Sequence, residues 1–76
     1  MSKFEKLIQK IQHGKNVSYA DAENLLIHLG FSLNIRGSHH VFRKAGYEKT
    51  ISIKKRSQLI AYQIDDLQEV LKDHDY

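Results

Sequence analysis

The chain has 76 residues, which is enough for one hydrophobic core and too few for two, so we expect residues 1–76 to form a single domain. It contains no cysteine, which excludes disulfides and thiolate metal ligands and suits a reducing cytoplasm. The net charge is +3 at pH 7, and no apolar run approaches the roughly 20 residues that a membrane-spanning helix needs.

Two helices are predicted in the first thirty residues. Apolar residues recur at the 3.6-residue period of a helix, first at Phe4, Leu7, Ile8 and Ile11, then at Ala22, Leu25, Leu26 and Leu29. Gly14 and Gly30 are expected to end these helices, because glycine accepts the left-handed backbone of a helix terminus. Ser18 and Asp21 have the spacing of a capping box, so the second helix should begin there.

Three strands are predicted next, because the apolar period changes from 3.6 to 2. Phe31, Leu33 and Ile35 alternate with polar residues in the first strand. Residues 36–38 should form a turn, 39–44 the second strand, 45–48 another turn and 49–53 the third strand. The short turns predict an antiparallel meander.

A last helix is predicted after a loop over residues 54–57, from the spacing of Ile60, Ile64, Leu67 and Leu71. The fold class is therefore α+β, with the order ααβββα. A sheet this small is expected to have helices on one face only, which leaves its other face open to solvent or a partner.

Positive charge is concentrated in the middle of the chain. Residues 36–56 hold seven of the twelve lysines and arginines against Glu48 alone, namely Arg36, Arg43, Lys44, Lys49, Lys54, Lys55 and Arg56. Such a block is typical of surfaces that attract phosphates, although a solvated surface can also carry one.

The cationic segment contains the run Gly37-Ser38-His39, with the aromatic Phe42 three residues after the histidine. With the preceding Leu29-Gly30-Phe31, the alternating strand, the basic strand and the closing Ile-x-x-Leu helix, this run resembles the HicA family over roughly residues 18–72. The tripeptide alone is a weak signal, whereas its combination with chain length and element order is specific.

This resemblance implies a double-stranded-RNA-binding-domain-like fold and an mRNA interferase that is neutralised by a cognate HicB antitoxin. It assigns the catalytic role to His39, and it gives Gly37 and Ser38 the role of shaping the turn. Many family members carry a proline and a basic or histidine residue just after the third strand. This chain has no proline and continues Lys54-Lys55-Arg56, which puts a second catalytic group from that loop in doubt.

The chemistry of RNA cleavage agrees with this assignment. RNA carries its own nucleophile, the 2′-hydroxyl, so cleavage needs a base, an acid and cations for the charged transition state. A histidine can act as base or acid near neutral pH, and His39 is the candidate. The expected RNA- and phosphate-binding residues are Arg36, Gly37, Ser38, Arg43, Lys44, Lys54, Lys55 and Arg56.

His39 and His40 are adjacent, so strand alternation points them to opposite faces of the sheet. His40 shares the parity of Phe42, a predicted core residue, which leaves His39 on the open face unless a bulge follows the turn. Diverging side chains without a nearby carboxylate do not form a metal site, so we expect neither a metal nor another cofactor.

Two other functional classes stay open. The chain could be a non-catalytic RNA-binding module, or an interaction domain that presents its cations to an acidic protein. His39 itself could be a packing or turn-capping histidine. Tyr47 could stack on a base or pack against the core, whereas Tyr19 and Tyr62 are expected to be half-buried packing residues.

Overall fold

The computed structural model describes residues 2–54 and 58–76, so Lys55, Arg56 and Ser57 of the predicted basic loop lie outside the described residues. The order ααβββα and the α+β class are confirmed. The elements are α1 Lys3–His13, α2 Tyr19–His28, β1 Ser32–Arg36, β2 His39–Lys44, β3 Tyr47–Lys54 and α3 Ala61–Asp73.

Local capping interactions set the bounds of the first two helices. At α2, the Ser18 hydroxyl accepts a hydrogen bond from the Asp21 amide at 3.1 Å, and the Asp21 carboxylate accepts one from the Ser18 amide at 3.0 Å. This confirms the predicted capping box. Gly14 ends α1 with φ 73°, the left-handed conformation expected there.

The three strands form one antiparallel sheet in the order β1-β2-β3. The register pairs Ile35 with His40 and His40 with Ile53. The sheet's irregularity lies between Phe42 and Lys44, at the far end of β2 from His39. The alternation of side chains at the start of β2 is therefore undisturbed, as the sequence predicts.

The core lies between one face of the sheet and the three helices. Phe42 is fully buried in its centre, as predicted. Among the described residues, the other buried apolar side chains are those of Ile8, Ile11, Val17, Tyr19, Ala22, Leu25, Leu26, Phe31, Ile51, Ile53, Leu59, Leu67, Val70 and Leu71. Burial of this apolar surface is the main stabilising term of such a fold. No helix among the described residues has the length and apolar character needed to cross a bilayer.

Several details differ from the prediction. Tyr62 is 61% exposed and Tyr19 is buried, whereas the sequence predicts both as half-buried. Ile35 is 58% exposed, because it lies on the edge strand β1 next to the turn into β2. Ile60 is the exposed residue before α3 and not part of its buried stripe. Gln63 is buried instead, and its side chain accepts a hydrogen bond from the Ile60 amide at 3.1 Å. Finally, β3 begins at Tyr47, two residues before the predicted start, since the turn needs only residues 45 and 46.

Candidate functional site

The turn before His39 consists of Gly37 and Ser38, both exposed. Gly37 has φ 60°, whereas Ser38 does not have a positive φ. A positive φ at the first of two turn residues is the pattern of a type II′ hairpin turn, which favours glycine there. The turn therefore places His39 at the first position of β2, directly beside the last residue of β1.

His39 lies in a row of three exposed side chains across the open face of the sheet. It pairs with Arg36 on β1 and with Lys54 on β3. Directly opposed residues of antiparallel strands have Cβ atoms about 5 Å apart on the same face of the sheet. One imidazole is therefore flanked by two cations, one on each side, with all three side chains accessible to a ligand.

A third cation lies further along the same face. Arg43 is exposed and pairs with Ser32 of β1. It follows His39 by four residues, which corresponds to roughly 13 Å along a strand. The intervening row consists of Asn34, Val41 and Ser52. This face suits an extended anionic ligand that spans the sheet, because its cations lie at both ends of β2.

Lys44 is not brought to this face. Its Nζ lies 2.9 Å from Nε2 of His74 and 5.9 Å from the centre of the Phe31 ring, on the helical side of the sheet. The sequence carried the signal for this placement, since Lys44 has the parity of His40 and Phe42. Lys55 and Arg56, which were also predicted to bind phosphate, lie outside the described residues.

Lys49 and Tyr47 are also engaged with the helical layer. Lys49 forms ion pairs with Glu69 and Asp73 of α3. The Tyr47 hydroxyl donates to the Asp73 carboxylate at 2.7 Å, and its ring packs edge-on against Phe31. This hydrogen bond, together with Lys49, holds the pKa of Asp73 below its ordinary value, while burial and Asp73 raise the pKa of Tyr47 to about 12. Tyr47 is thus a half-buried packing residue.

His40 lies behind the row, on the core side of β2. It is buried, and its Nδ1 lies 2.6 Å from the Tyr19 hydroxyl of α2. Tyr19 in turn donates to the Glu23 carboxylate at 3.1 Å. Burial, together with Glu23, raises the pKa of Tyr19 to about 12. Strand alternation predicts that His40 points inward, but the partner on α2 is 21 positions away and leaves no local sequence signal.

A groove of about 650 Å³ lies elsewhere, between α1 and α2. None of its lining residues belongs to the sheet, so it does not include the row around His39. The lining residues are Lys3, Phe4, Lys6, Leu7, Lys10, Asp21, Asn24 and His28.

The row around His39 offers an accessible imidazole and two cations, which can move a proton and stabilise a phosphate. Within the described part of the chain, the register places no carboxylate in this row. Among residues 2–54 and 58–76, no three His, Asp or Glu side chains group as metal ligands.

Neither models of known protein families, nor curated proteins, nor solved structures gave a match to this chain.

Proposed function

We propose that this chain is a metal-independent endoribonuclease of the HicA type, which cleaves messenger RNA in the cytoplasm with His39 as its catalytic residue. The observation that carries the proposal is the exposed row Arg36, His39 and Lys54 on the uncovered face of the sheet. The histidine of the Gly-Ser-His run lies in this row, and Gly37 and Ser38 form the turn before it. A sheet with helices on one face also supports the double-stranded-RNA-binding-domain-like fold that the resemblance to HicA toxins implies.

The proposed reaction is an internal transesterification of RNA. The 2′-oxygen attacks the adjacent phosphorus, and the bond from phosphorus to the 5′-oxygen breaks. His39 takes the proton of the 2′-hydroxyl as base, or gives a proton to the leaving 5′-oxygen as acid, and solvent water exchanges the other proton. Arg36 and Lys54 bind the phosphate and stabilise its additional negative charge in the transition state. The products are a 2′,3′-cyclic phosphate and a 5′-hydroxyl.

The proposed partner is a HicB-type antitoxin that covers the basic face and His39. Inhibition by occlusion is favoured because the row is open and exposed, so a protein seated on it excludes RNA directly. Arg36, Lys54 and Arg43 would then pair with acidic groups of the antitoxin. A structure of such a complex with His39 accessible to RNA would contradict occlusion.

The proposal is tested by comparing the purified wild-type chain with His39→Ala and His13→Ala on a labelled RNA in the presence of EDTA. His13 is the control, because it is an exposed histidine in the last turn of α1. We expect His39→Ala to lower the cleavage rate by about 10²–10⁴-fold, the usual contribution of an acid–base group. His13→Ala should cleave like the wild type, and RNA binding by His39→Ala should persist.

Each outcome assigns a function. Products that end in a 2′,3′-cyclic phosphate, formed by wild type and lost in His39→Ala, support the nuclease. RNA binding without cleavage by the wild type would identify a non-catalytic RNA-binding module instead. In cells, expression without antitoxin should arrest growth and deplete messages for the wild type, whereas His39→Ala should accumulate without effect.

A further inference from the structure

His40 is one of the two buried side chains in the core-facing row at the end of the β1–β2 hairpin. The core-facing row nearest the turn consists of Ile35, His40 and Ile53. Ile35 is 58% exposed, so the burial in this row comes from His40 and Ile53. A histidine at this position is unexpected on hydrophobic grounds alone, because burying a polar side chain is unfavourable unless its hydrogen bonds are satisfied.

The contacts of His40 fix the direction of each hydrogen bond. The Tyr19 hydroxyl has one proton, which it donates to the Glu23 carboxylate, an acceptor only. The Tyr19 oxygen must then accept at its other contact, so His40 Nδ1 carries a proton and donates it across 2.6 Å. The chain of donors runs from Nδ1 of His40 through Tyr19 to Glu23. The two rings also meet edge to face, with centres 4.9 Å apart.

Tyr19 is well placed to anchor a strand. It is the first residue of α2, next to the Ser18–Asp21 capping box. Asp21 is itself paired with Lys10 of α1 at 2.7 Å. The phenol keeps its proton at physiological pH, since its pKa is raised to about 12 by burial and by Glu23. Tyr19 therefore ties the start of β2 to the first turn of α2.

We propose that His40, Tyr19 and Glu23 are positioning residues, which hold His39 in place on the open face by fixing the neighbouring residue of β2 to α2. The inference rests on the proposed function for its effect on catalysis. His40 and His39 share a peptide bond and point to opposite faces. A rotation of the strand at His40 therefore moves the His39 imidazole relative to Arg36 and Lys54. A displacement of only about 1 Å at a catalytic group can cost roughly 10²-fold in rate.

Tyr19→Phe is the sharpest test, because it removes only the hydroxyl and keeps the ring that packs in the core. Tyr47→Phe is the matched control, since it removes a tyrosine–carboxylate hydrogen bond, to Asp73, away from His39. We expect Tyr19→Phe to lower kcat for RNA cleavage about tenfold, with little change in KM. This is a smaller loss than the roughly 10²-fold expected for a displacement of about 1 Å. Tyr47→Phe should leave both constants near the wild-type values.

Glu23 provides a rescue experiment. Glu23→Leu removes the acceptor that orients the Tyr19 hydroxyl, so the bond to His40 is held less firmly and kcat should fall, by less than in Tyr19→Phe. Glu23→Gln keeps an acceptor oxygen at this position, so we expect it to restore most of the lost rate. Equal cleavage rates for Glu23→Leu and Glu23→Gln would contradict the chain of donors from His40 through Tyr19 to Glu23.

A spectroscopic measurement tests the inference even if the chain does not cleave RNA. Nitrogen-15 NMR of the histidine rings should show a proton on Nδ1 of His40 in the wild type. In Tyr19→Phe, hydrogen exchange of the His39 amide should become about tenfold faster, because the strand loses the free energy of roughly one hydrogen bond. The acceleration should be larger than in Tyr47→Phe.

Absence of wild-type cleavage would refute the proposed function alone. A folded Tyr19→Phe with unchanged kcat, or with unchanged His39 exchange, would overturn the positioning role.

Discussion

Lys54 lies directly opposite His39 in the β2–β3 register, and both side chains are exposed on the same face of the sheet. A phosphate held near the imidazole is therefore within reach of the Lys54 ammonium. Removing this charge should weaken RNA binding and also reduce its dependence on salt, because one counterion fewer is released on binding.

The first prediction is that Lys54→Ala lowers the slope of log affinity against log salt by about 0.7 for single-stranded RNA, the value for one phosphate contact. The matched control is Lys72→Ala, which removes the same charge from an exposed position on α3. The measurement is a fluorescence-anisotropy titration with the His39→Ala protein as background, so that the RNA stays intact. Identical slopes for both variants would place the RNA elsewhere.

The second prediction concerns Gly37, whose φ is 60°. An added Cβ meets nothing within 4 Å there, so Gly37→Ala should be destabilising through backbone strain alone, by about 1–2 kcal/mol. Gly14 has a similar φ of 73°, and an added Cβ there would lie 3.2 Å from the Gln68 side chain. Gly14→Ala should therefore lower the free energy of unfolding at least as much as Gly37→Ala does. RNA cleavage by folded protein should nevertheless fall only in Gly37→Ala. Equal activity of the two variants would refute a role of this turn in presenting His39.

Much of the fold could be predicted because each element has a strong local signal. The period of apolar residues predicts the three helices and the sheet, and the Ser18–Asp21 box predicts the start of α2 to the residue. The start of α3 has a weaker sequence signal, because an apolar residue before a helix fits the same spacing as one inside it. Ile60 is such a residue, and only packing decides that Gln63 is buried in its place.

The alternation of side chains between the two faces of a strand predicts part of the candidate site. The period of two places His39 outward and His40 inward, and both placements are observed. The same rule applied to Lys44 would have removed it from the phosphate-binding set. The bond between Tyr19 and His40 could not be found in this way, because it depends on how α2 packs against the sheet and joins residues that are distant in sequence.

The third prediction uses Asp21, where burial opposes ionisation but hydrogen bonds from Lys10 and Ser18 outweigh it, so the pKa lies below the ordinary 3.8. A carboxyl with a lower pKa in the folded chain stabilises it above the unfolded-state pKa, and this contribution is lost as pH falls through the folded-state pKa. Asp21→Asn should therefore be less stable than wild type at pH 7, and the gap should narrow as the pH falls below about 3.8.

Thermal unfolding followed by circular dichroism between pH 7 and pH 2 measures this gap. Asp75→Asn is the control, since Asp75 is exposed after the end of α3 and its positive φ of 66° suits asparagine equally well. It should track the wild type throughout. A gap for Asp21→Asn that stays constant down to pH 2 would show that the loss comes from geometry and not from the carboxylate charge.

The fourth prediction tests the packing of α3 against the rest of the core. Leu67 is fully buried, so Leu67→Ala leaves a cavity and should lower the free energy of unfolding by about 2–5 kcal/mol. That is a large part of the roughly 4–11 kcal/mol expected for a domain of this size. Ile27→Ala, at a 48% exposed position on α2, should cost less than about 1 kcal/mol. Urea titrations measure the free energy of unfolding of both variants. Equal losses would mean that Leu67 does not face the core.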